Sequence, residues 1–232
     1  MTDPLMMSTC CPLDSGEVVP VMRCAGRWLC EVQPRTAVAD TVIDFIRRRF
    51  QLAYGAQPSL RIPALLALTT AQGSLLAAVG VRDASRERLF LEDYLDEPAE
   101  TLIPGRGVPE RGQIAEIAHL AGVEAGTSRY LFPALTLWLR DKGYRWVMFT
   151  GTDQLRNSFG RLGIETHVLA PADPARLADG GEGWGQYYDH HPQVMAVSVD
   201  ASHQALTASG LLRRVNWLDN SAAEEGRYGF TA

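Results

Sequence analysis

Apolar residues recur at Val38, Val42, Phe45, Ile46, Phe50 and Ala53, the spacing of one buried helix face, and predict a helix over 36–54 that Gly55 stops. Ahead of it, RWLCEVQ (27–33) has strand character and ends at Pro34. Behind it the period changes: PALLALTT (63–70) and SLLAAVGV (74–81) are short apolar runs joined by Ala71, Gln72 and Gly73, which predicts an antiparallel hairpin. RLFLEDYL (88–95) reads as a strand followed by a turn, DEPAETLI (96–103) as a short helix and PGRGVPERG (104–112) as a loop. A strand follows from Gln113 to Ala121, then a glycine-bearing turn and a helix over 127–142. That helix buries Leu131, Ala134, Leu135, Trp138 and Leu139 and stops at Gly143. WVMFTGT (146–152) has the unbroken apolar character of a strand covered on both faces. A helix at 153–162, a strand at IETHVLA, an aromatic WGQYY segment (184–188) and a strand VMAVSV (194–199) complete the pattern.

The strand–helix–strand unit over 113–151 requires two parallel strands, so the alternation predicts an α/β fold with a mixed sheet. Three segments are expected: a loosely ordered leader over 1–26, one main domain over 27–200, and a helical or irregular extension over 201–232. A chain of 232 residues with 46% hydrophobic and 21% charged residues supports one sizeable core. The formal net charge of −5 argues against a nucleic-acid footprint. No apolar run reaches the ~20 residues of a membrane-spanning helix. MTDPLMMSTCCPLD lacks the basic and apolar regions of a secretory signal, which leads to the expectation of a cytoplasmic protein. Cys10, Cys11, Cys24 and Cys30 form no CxxC pair and are expected to be reduced thiols. Neighbouring His190 and His191 would point to opposite sides of an extended segment, so no metal site is expected.

FIRRRF (45–50), LFLEDYLDEP (89–98), AEIAHLAG (115–122), VMFTGTDQLRNSFGRLGI (147–164) and WGQYY (184–188) resemble the thermostable hemolysin family over roughly residues 35–200. The order of elements resembles the acetyltransferase-like (GNAT) superfamily and, more distantly, the acyl-homoserine lactone synthases. The resemblance implies a GNAT-like mixed, splayed β-sheet flanked by helices, in which a gap between two parallel strands receives the pantetheine arm of an acyl donor. It implies an acyltransferase that moves an acyl group from an acyl carrier protein thioester, or acyl-CoA, to the amine of a small-molecule acceptor. No cofactor would be bound permanently, and an acidic acyl carrier protein would be the partner. The family name keeps open a membrane-active protein, and Phe159, where a Tyr acid would be expected, keeps open an inactive binding module.

Such a site must hold a thioester beside an amine, take the amine's proton and stabilise an oxyanion. Glu116, a lone carboxylate in an apolar strand, is the first candidate base. His119 is a second, aimed at the opposite face unless a bulge turns it. Tyr187 or its neighbour Tyr188 is the candidate proton donor to the thiolate. Amides near Leu120 to Gly122 would meet the oxyanion. Gly126, Thr127, Ser128 and Arg129 would bind the pantetheine phosphate at a helix start. This turn has one central glycine, which fits the single phosphodiester of a carrier-bound donor better than a pyrophosphate. Resemblance places Asn157 against the pantetheine amides, with Thr150, Thr152, Arg156 and Trp184 in the second half of the cleft. Glu92 and Asp93 would hold the acceptor ammonium, and Arg47 or Arg48 would touch the carrier. Ala77, Ala78 and Gly80 leave room for a long acyl chain or allow close packing.

Overall fold

The computed structural model describes residues 10–11, 13, 16–60, 62–123 and 126–218. β1 (Val18–Cys24) and β2 (Arg27–Val32) form a hairpin, followed by α1 (Ala37–Tyr54), β3 (Ala64–Thr70) and β4 (Leu75–Asp83). A 3₁₀ helix (Phe90–Tyr94) and α2 (Ala99–Leu102) lead into β5 (Ile114–Gly122), α3 (Ser128–Asp141), β6 (Trp146–Gly151) and α4 (Asp153–Gly160). β7 (His167–Pro171), β8 (Gln193–Ser198), α5 (Val199–Ala208) and β9 (Val215–Trp217) follow. The strands make one sheet in the order β7-β8-β6-β5-β4-β3-β2-β1-β9. Among them β5 and β6 pair in parallel, as the strand–helix–strand unit requires, and the other pairings are antiparallel.

Both faces of the sheet are covered, which is why its strands are apolar at successive positions. Leu65 and Ala67 of β3 pack with Val42, Phe45, Ile46 and Phe50 of α1. Their alternates Leu66 and Leu68 pack with Leu131, Leu135 and Leu139 of α3 and Leu206 of α5. Beside α1, the 88–103 segment covers Ile114, Met148, Val194 and Ala196 with Leu89, Leu91 and Tyr94. α1 starts where the Thr36 side chain accepts from the Ala39 amide and ends at Gly55, whose φ of 64° is left-handed.

Three expectations are corrected. The 88–95 segment is a 3₁₀ helix and not a strand, because Phe90 and Leu91 donate their amides to a side chain, Glu116, instead of to a strand neighbour. The leader read as loose over 1–26 contains β1, a full member of the sheet; its register shifts between Pro20 and Met22 at a residue without an N–H to donate. Residues 1–9 lie outside the described residues. The extension after 200 is not only helical or irregular: β9 pairs with β1 through Met22, Arg23 and Cys24.

Candidate active site

β5 and β6 pair only through Ile114↔Trp146, Ala115↔Val147 and Glu116↔Met148, although β5 runs on to Gly122 and β6 to Gly151. Past that point β6 stays paired to β8 as far as Gly151, and β5 stays paired to β4 as far as Gly122. The two parallel strands therefore part, and alternate amides on the β6-facing edge of β5 have no strand partner. On the β4 side, Gly80 faces Ala118 and Ala78 faces Ala121, so His119 and Leu120 together oppose Val79. This is a β-bulge, and His119 sits in it at a left-handed φ of 54°. Gly80 is there for close approach, because a Cβ on it would lie 2.6 Å from Ile62 Cγ2 and 3.3 Å from the Ala118 carbonyl.

A cavity of about 440 Å³ lies at the gap and is lined by residues from both faces of the sheet. Toward α3 and α5 it is apolar, lined by Leu131, Phe132, Leu135, Leu139, Val147, Phe149, Leu155, Phe159 and Val197, with Thr136 and Ser202 as polar members. Toward α1 it is an aromatic chamber of Phe50, Tyr54, Phe90, Tyr94, Trp184 and Tyr187. His119 lies in that chamber, its ring edge-on to Phe50 (centroids 6.1 Å) and stacked on Trp184 (6.0 Å, 22°). The bulge has turned it to the α1 face. It makes no hydrogen bond to any described residue, and burial, with the Arg82 charge beside it, pushes its pKa down to about 4. His119 is thus a neutral imidazole at pH 7.

Glu116 is held differently. Its Oε2 takes a 2.5 Å hydrogen bond from Arg82 Nη1 and one of 2.9 Å from the Phe90 amide, and its Oε1 takes 2.9 Å from the Leu91 amide. Burial raises its carboxyl above the ordinary range, opposed by the charge and hydrogen bond of Arg82 and by the two amides. Its three hydrogen bonds all come from donors, and they occupy most of the roughly four acceptor sites of a carboxylate, so the side chain is fixed in place as an acceptor. Arg82 is its direct cross-strand neighbour. Glu116 therefore ties β4, β5 and the 3₁₀ helix together at the point where β6 departs.

Leu120, Gly122, Gly126, Thr127, Ser128, Thr150, Thr152, Trp184 and Tyr187 line the cavity with Glu116 and His119. Five expected site residues do not. Asn157 is exposed, because α4 turns Gln154, Leu155, Ser158 and Phe159 inward and leaves 156 and 157 on its outer face. Arg156 pairs with Asp153 at 2.9 Å on that outer face. Arg129 is exposed and does not line the cavity. Glu92 is buried outside it, accepting from the Leu89 and Ala99 amides and from Arg111. Burial would raise its carboxyl, and Arg111 with those amides overcomes that and holds it below the ordinary range. Asp93 pairs with Arg88 at 2.7 Å. Glu92 and Asp93 are thus each engaged by an arginine and lie outside the cavity wall.

The structure adds residues that the sequence pattern did not single out: Arg49, Tyr54, Phe90 and Tyr94. Arg49 was legible in principle, since it lies three and four residues beyond Ile46 and Phe45, at the edge of the buried stripe of α1. Arg47 pairs with Asp44, and Arg48 Nε donates to the Asp44 carbonyl. Phe159 stacks on Phe132 at 4.3 Å, as a wall of the apolar arm. Tyr187 is buried against Phe50, Tyr54 and Trp184, and burial pushes its hydroxyl pKa up, reinforced by Tyr54 and Tyr188. It is a phenol, able to donate, at any working pH.

The aromatic wall is fastened to the end of α1. The Gln186 amide donates to the Tyr54 carbonyl (2.8 Å) and the Gln57 amide to the Gly183 carbonyl (2.6 Å). Gly185, at φ 52°, lies against that end so closely that a Cβ would meet the Tyr54 carbonyl oxygen at 2.2 Å. Gly185→Ala is expected to cost about 1–3 kcal/mol, the scale of overpacking, in urea unfolding monitored by far-UV circular dichroism. An unchanged midpoint would mean the clasp is slack.

With this geometry in view, the chain matches the thermostable hemolysin family over residues 32–203. It belongs to that family. No curated protein sequence matches it. Among solved structures it is similar to the AHL synthase LasI (TM-score 0.53, 12% identity, 81% of this chain and 95% of that one). It is similar also to TofI in an apo form (0.51, 13%, 77% and 95%). A third is FeeM, an N-acyl amino acid synthase from uncultured soil microbes (0.50, 13%, 74% and 89%). At these identities the likeness shows the fold, a GNAT-like mixed sheet with helices on both faces. Among the described residues of this thermostable hemolysin family member, no helix is long and apolar enough to cross a membrane. No group of three His, Cys, Asp or Glu side chains among them is placed to hold a metal ion.

Proposed function

We propose that this thermostable hemolysin family member is a thioester-dependent N-acyltransferase that moves an acyl chain from a carrier-bound or CoA-bound pantetheine to the amine of a small molecule. The observation that carries this is the parting of β5 and β6 after Glu116↔Met148, with a cavity at the opening. The similar structures whose names describe an AHL synthase and an N-acyl amino acid synthase support acyl transfer as the chemistry. A thioester needs little activation, so the protein's work is placement, proton transfer and oxyanion stabilisation.

The donor enters between the strands. Its acyl chain lies in the apolar arm toward Leu135 and Leu139, and its carbonyl oxygen meets the unpaired amides of β5 beyond Ile117. The amine enters the aromatic chamber, where ring faces suit an apolar or cationic amine without a carboxylate partner. As its nitrogen bonds to the carbonyl carbon, His119 takes the N–H proton. The C–S bond then breaks, and the thiolate takes the proton that His119 has accepted, or one from solvent, with the Tyr187 phenol able to donate it a hydrogen bond. Glu116 acts here as a positioning residue, since it fixes the strand from which the bulge departs. An acid on an equivalent strand acting as base was the earlier expectation; a carboxylate already accepting from Arg82 and two amides fits that role poorly.

The test is thiol release from carrier-bound and CoA-bound thioesters of graded chain length, with and without a pool of amines. Release that needs both a long-chain donor and an amine is expected. Absence of release with every donor, or leakage of liposomes by the protein alone, would overturn the proposal.

A further inference from the structure

Arg49 and Thr150 share an uncommon property. Each presents to the cavity wall a buried polar atom, Arg49 Nε and Thr150 Oγ1, that has no hydrogen-bond partner among the described residues. Buried polar atoms are nearly always satisfied, so an orphan at a cavity wall marks a place where a ligand atom completes the bonding. Thr150 lies near the end of β6, where β6 has left β5. Arg49 reaches from α1 to the far end of β5, where its Nη2 donates to the Val123 carbonyl at 3.3 Å. That single bond pins the guanidinium and leaves its other N–H groups for a ligand. Among the described residues Arg49 makes no salt bridge, in contrast to Arg47, Arg82, Arg88 and Arg111. Gly126, Thr127 and Ser128, at the start of α3, line the same cavity.

A fixed, always-protonated guanidinium with an unfilled donor calls for an anion. Its contact with Val123 puts it at the β5–α3 connection, whereas the acceptor chamber is built around Phe50, Tyr54, Trp184 and His119. We propose that Arg49 anchors the phosphodiester of the donor's pantetheine arm, and that Thr150 bonds an amide of the same arm deeper in the gap. This rests on the acyl-transfer reading for the identity of the ligand and adds the residue that recognises it. It replaces Arg129, which is exposed, as the side-chain contact to phosphate. The arm would then run from Arg49 past the β5 amides to the thioester beside His119.

The decisive measurement is calorimetric titration of the full chain with 4′-phosphopantetheine and with pantetheine, which lacks the phosphate. The native protein is expected to prefer the phosphorylated compound by about tenfold or more, the scale of a charge-assisted hydrogen bond. In Arg49→Gln that preference should disappear, and in Arg49→Lys, which keeps the charge without the fork, it should return in part. A preference that survives intact in Arg49→Gln, or no preference in the native protein, overturns the assignment. In steady state, Arg49→Gln should raise the KM for the donor and leave that for the amine unchanged. The reverse pattern would assign Arg49 to a carboxylate on the acceptor instead. Binding is read without turnover, so an Arg49-dependent phosphate preference in a protein that releases no thiol would sink acyl transfer and leave the anion site standing.

Discussion

Glu116→Ala is expected to lower the unfolding free energy by about 3–5 kcal/mol, the cost of stranding one member of a buried ion pair. The substitution takes away the close partner of the buried Arg82 guanidinium, whose ion pair with Glu87 at 3.3 Å reaches a carboxylate that is about half in solvent. It also removes the acceptor of the Phe90 and Leu91 amides, which start the 3₁₀ helix. The loss should be visible as an earlier urea midpoint. If the penalty is that of an unpaired charge, Arg82→Met together with Glu116→Leu should recover much of it, since a well-packed apolar pair replaces a buried ion pair with little or no loss. The contrary outcome is equally definite. A Glu116→Ala protein of native stability that has lost thiol release would make Glu116 the base and His119 a wall residue. The double variant separates the two roles further, because apolar replacement restores a strut and cannot restore a base.

How far the sequence carries toward this site depends on whether the relevant interaction is local. The apolar stripe of α1, the β3–β4 hairpin and the parallel β5–α3–β6 unit follow from periodicity, and their boundaries agree with the structure to within two residues. Segment 88–95 misleads because its alternation of apolar residues is real, yet its leading amides are satisfied by a side chain 25 and 26 residues further along the chain. β1 hides behind Pro20 and a register shift, and β9 is three residues long, too short for any period to show. The FTGTDQLRNSFGRLG run does border the cavity and its helix starts at Asp153 as the sequence predicts, but the place of Asn157 comes from resemblance, and in the folded helix Gln154, Leu155, Ser158 and Phe159 line the cavity while Asn157 is exposed. The acid pairings of Glu92 and Asp93 are likewise invisible until Arg111 and Arg88 are folded beside them. His119 is the plainest instance. In a regular strand it would face away from Glu116, and nothing short of the β4–β5 register reveals the extra residue that brings it round.

His119→Asn is expected to reduce turnover by ~10²-fold or more, the range for a lost general base, with the donor KM little changed. Asn is the informative replacement because it tolerates a left-handed φ and so preserves the bulge, where a β-branched residue would open it. The ring contacts with Phe50 and Trp184 are worth about 0.5–1.5 kcal/mol, so the variant should remain folded and close to native stability at neutral pH. A second readout tests the protonation state itself. The folded protein holds the imidazole at about 4 against an ordinary value of 6.5, so between these limits the unfolded chain binds the extra proton. The stability due to a neutral His119 is thus complete above pH 6.5 and drains away as the pH falls toward 4. Urea midpoints compared at neutral pH and near pH 4 should show a smaller acid loss in His119→Asn than in the native protein. Parallel losses in the two would mean that the imidazole titrates alike in the folded and unfolded chain and is not held neutral by burial.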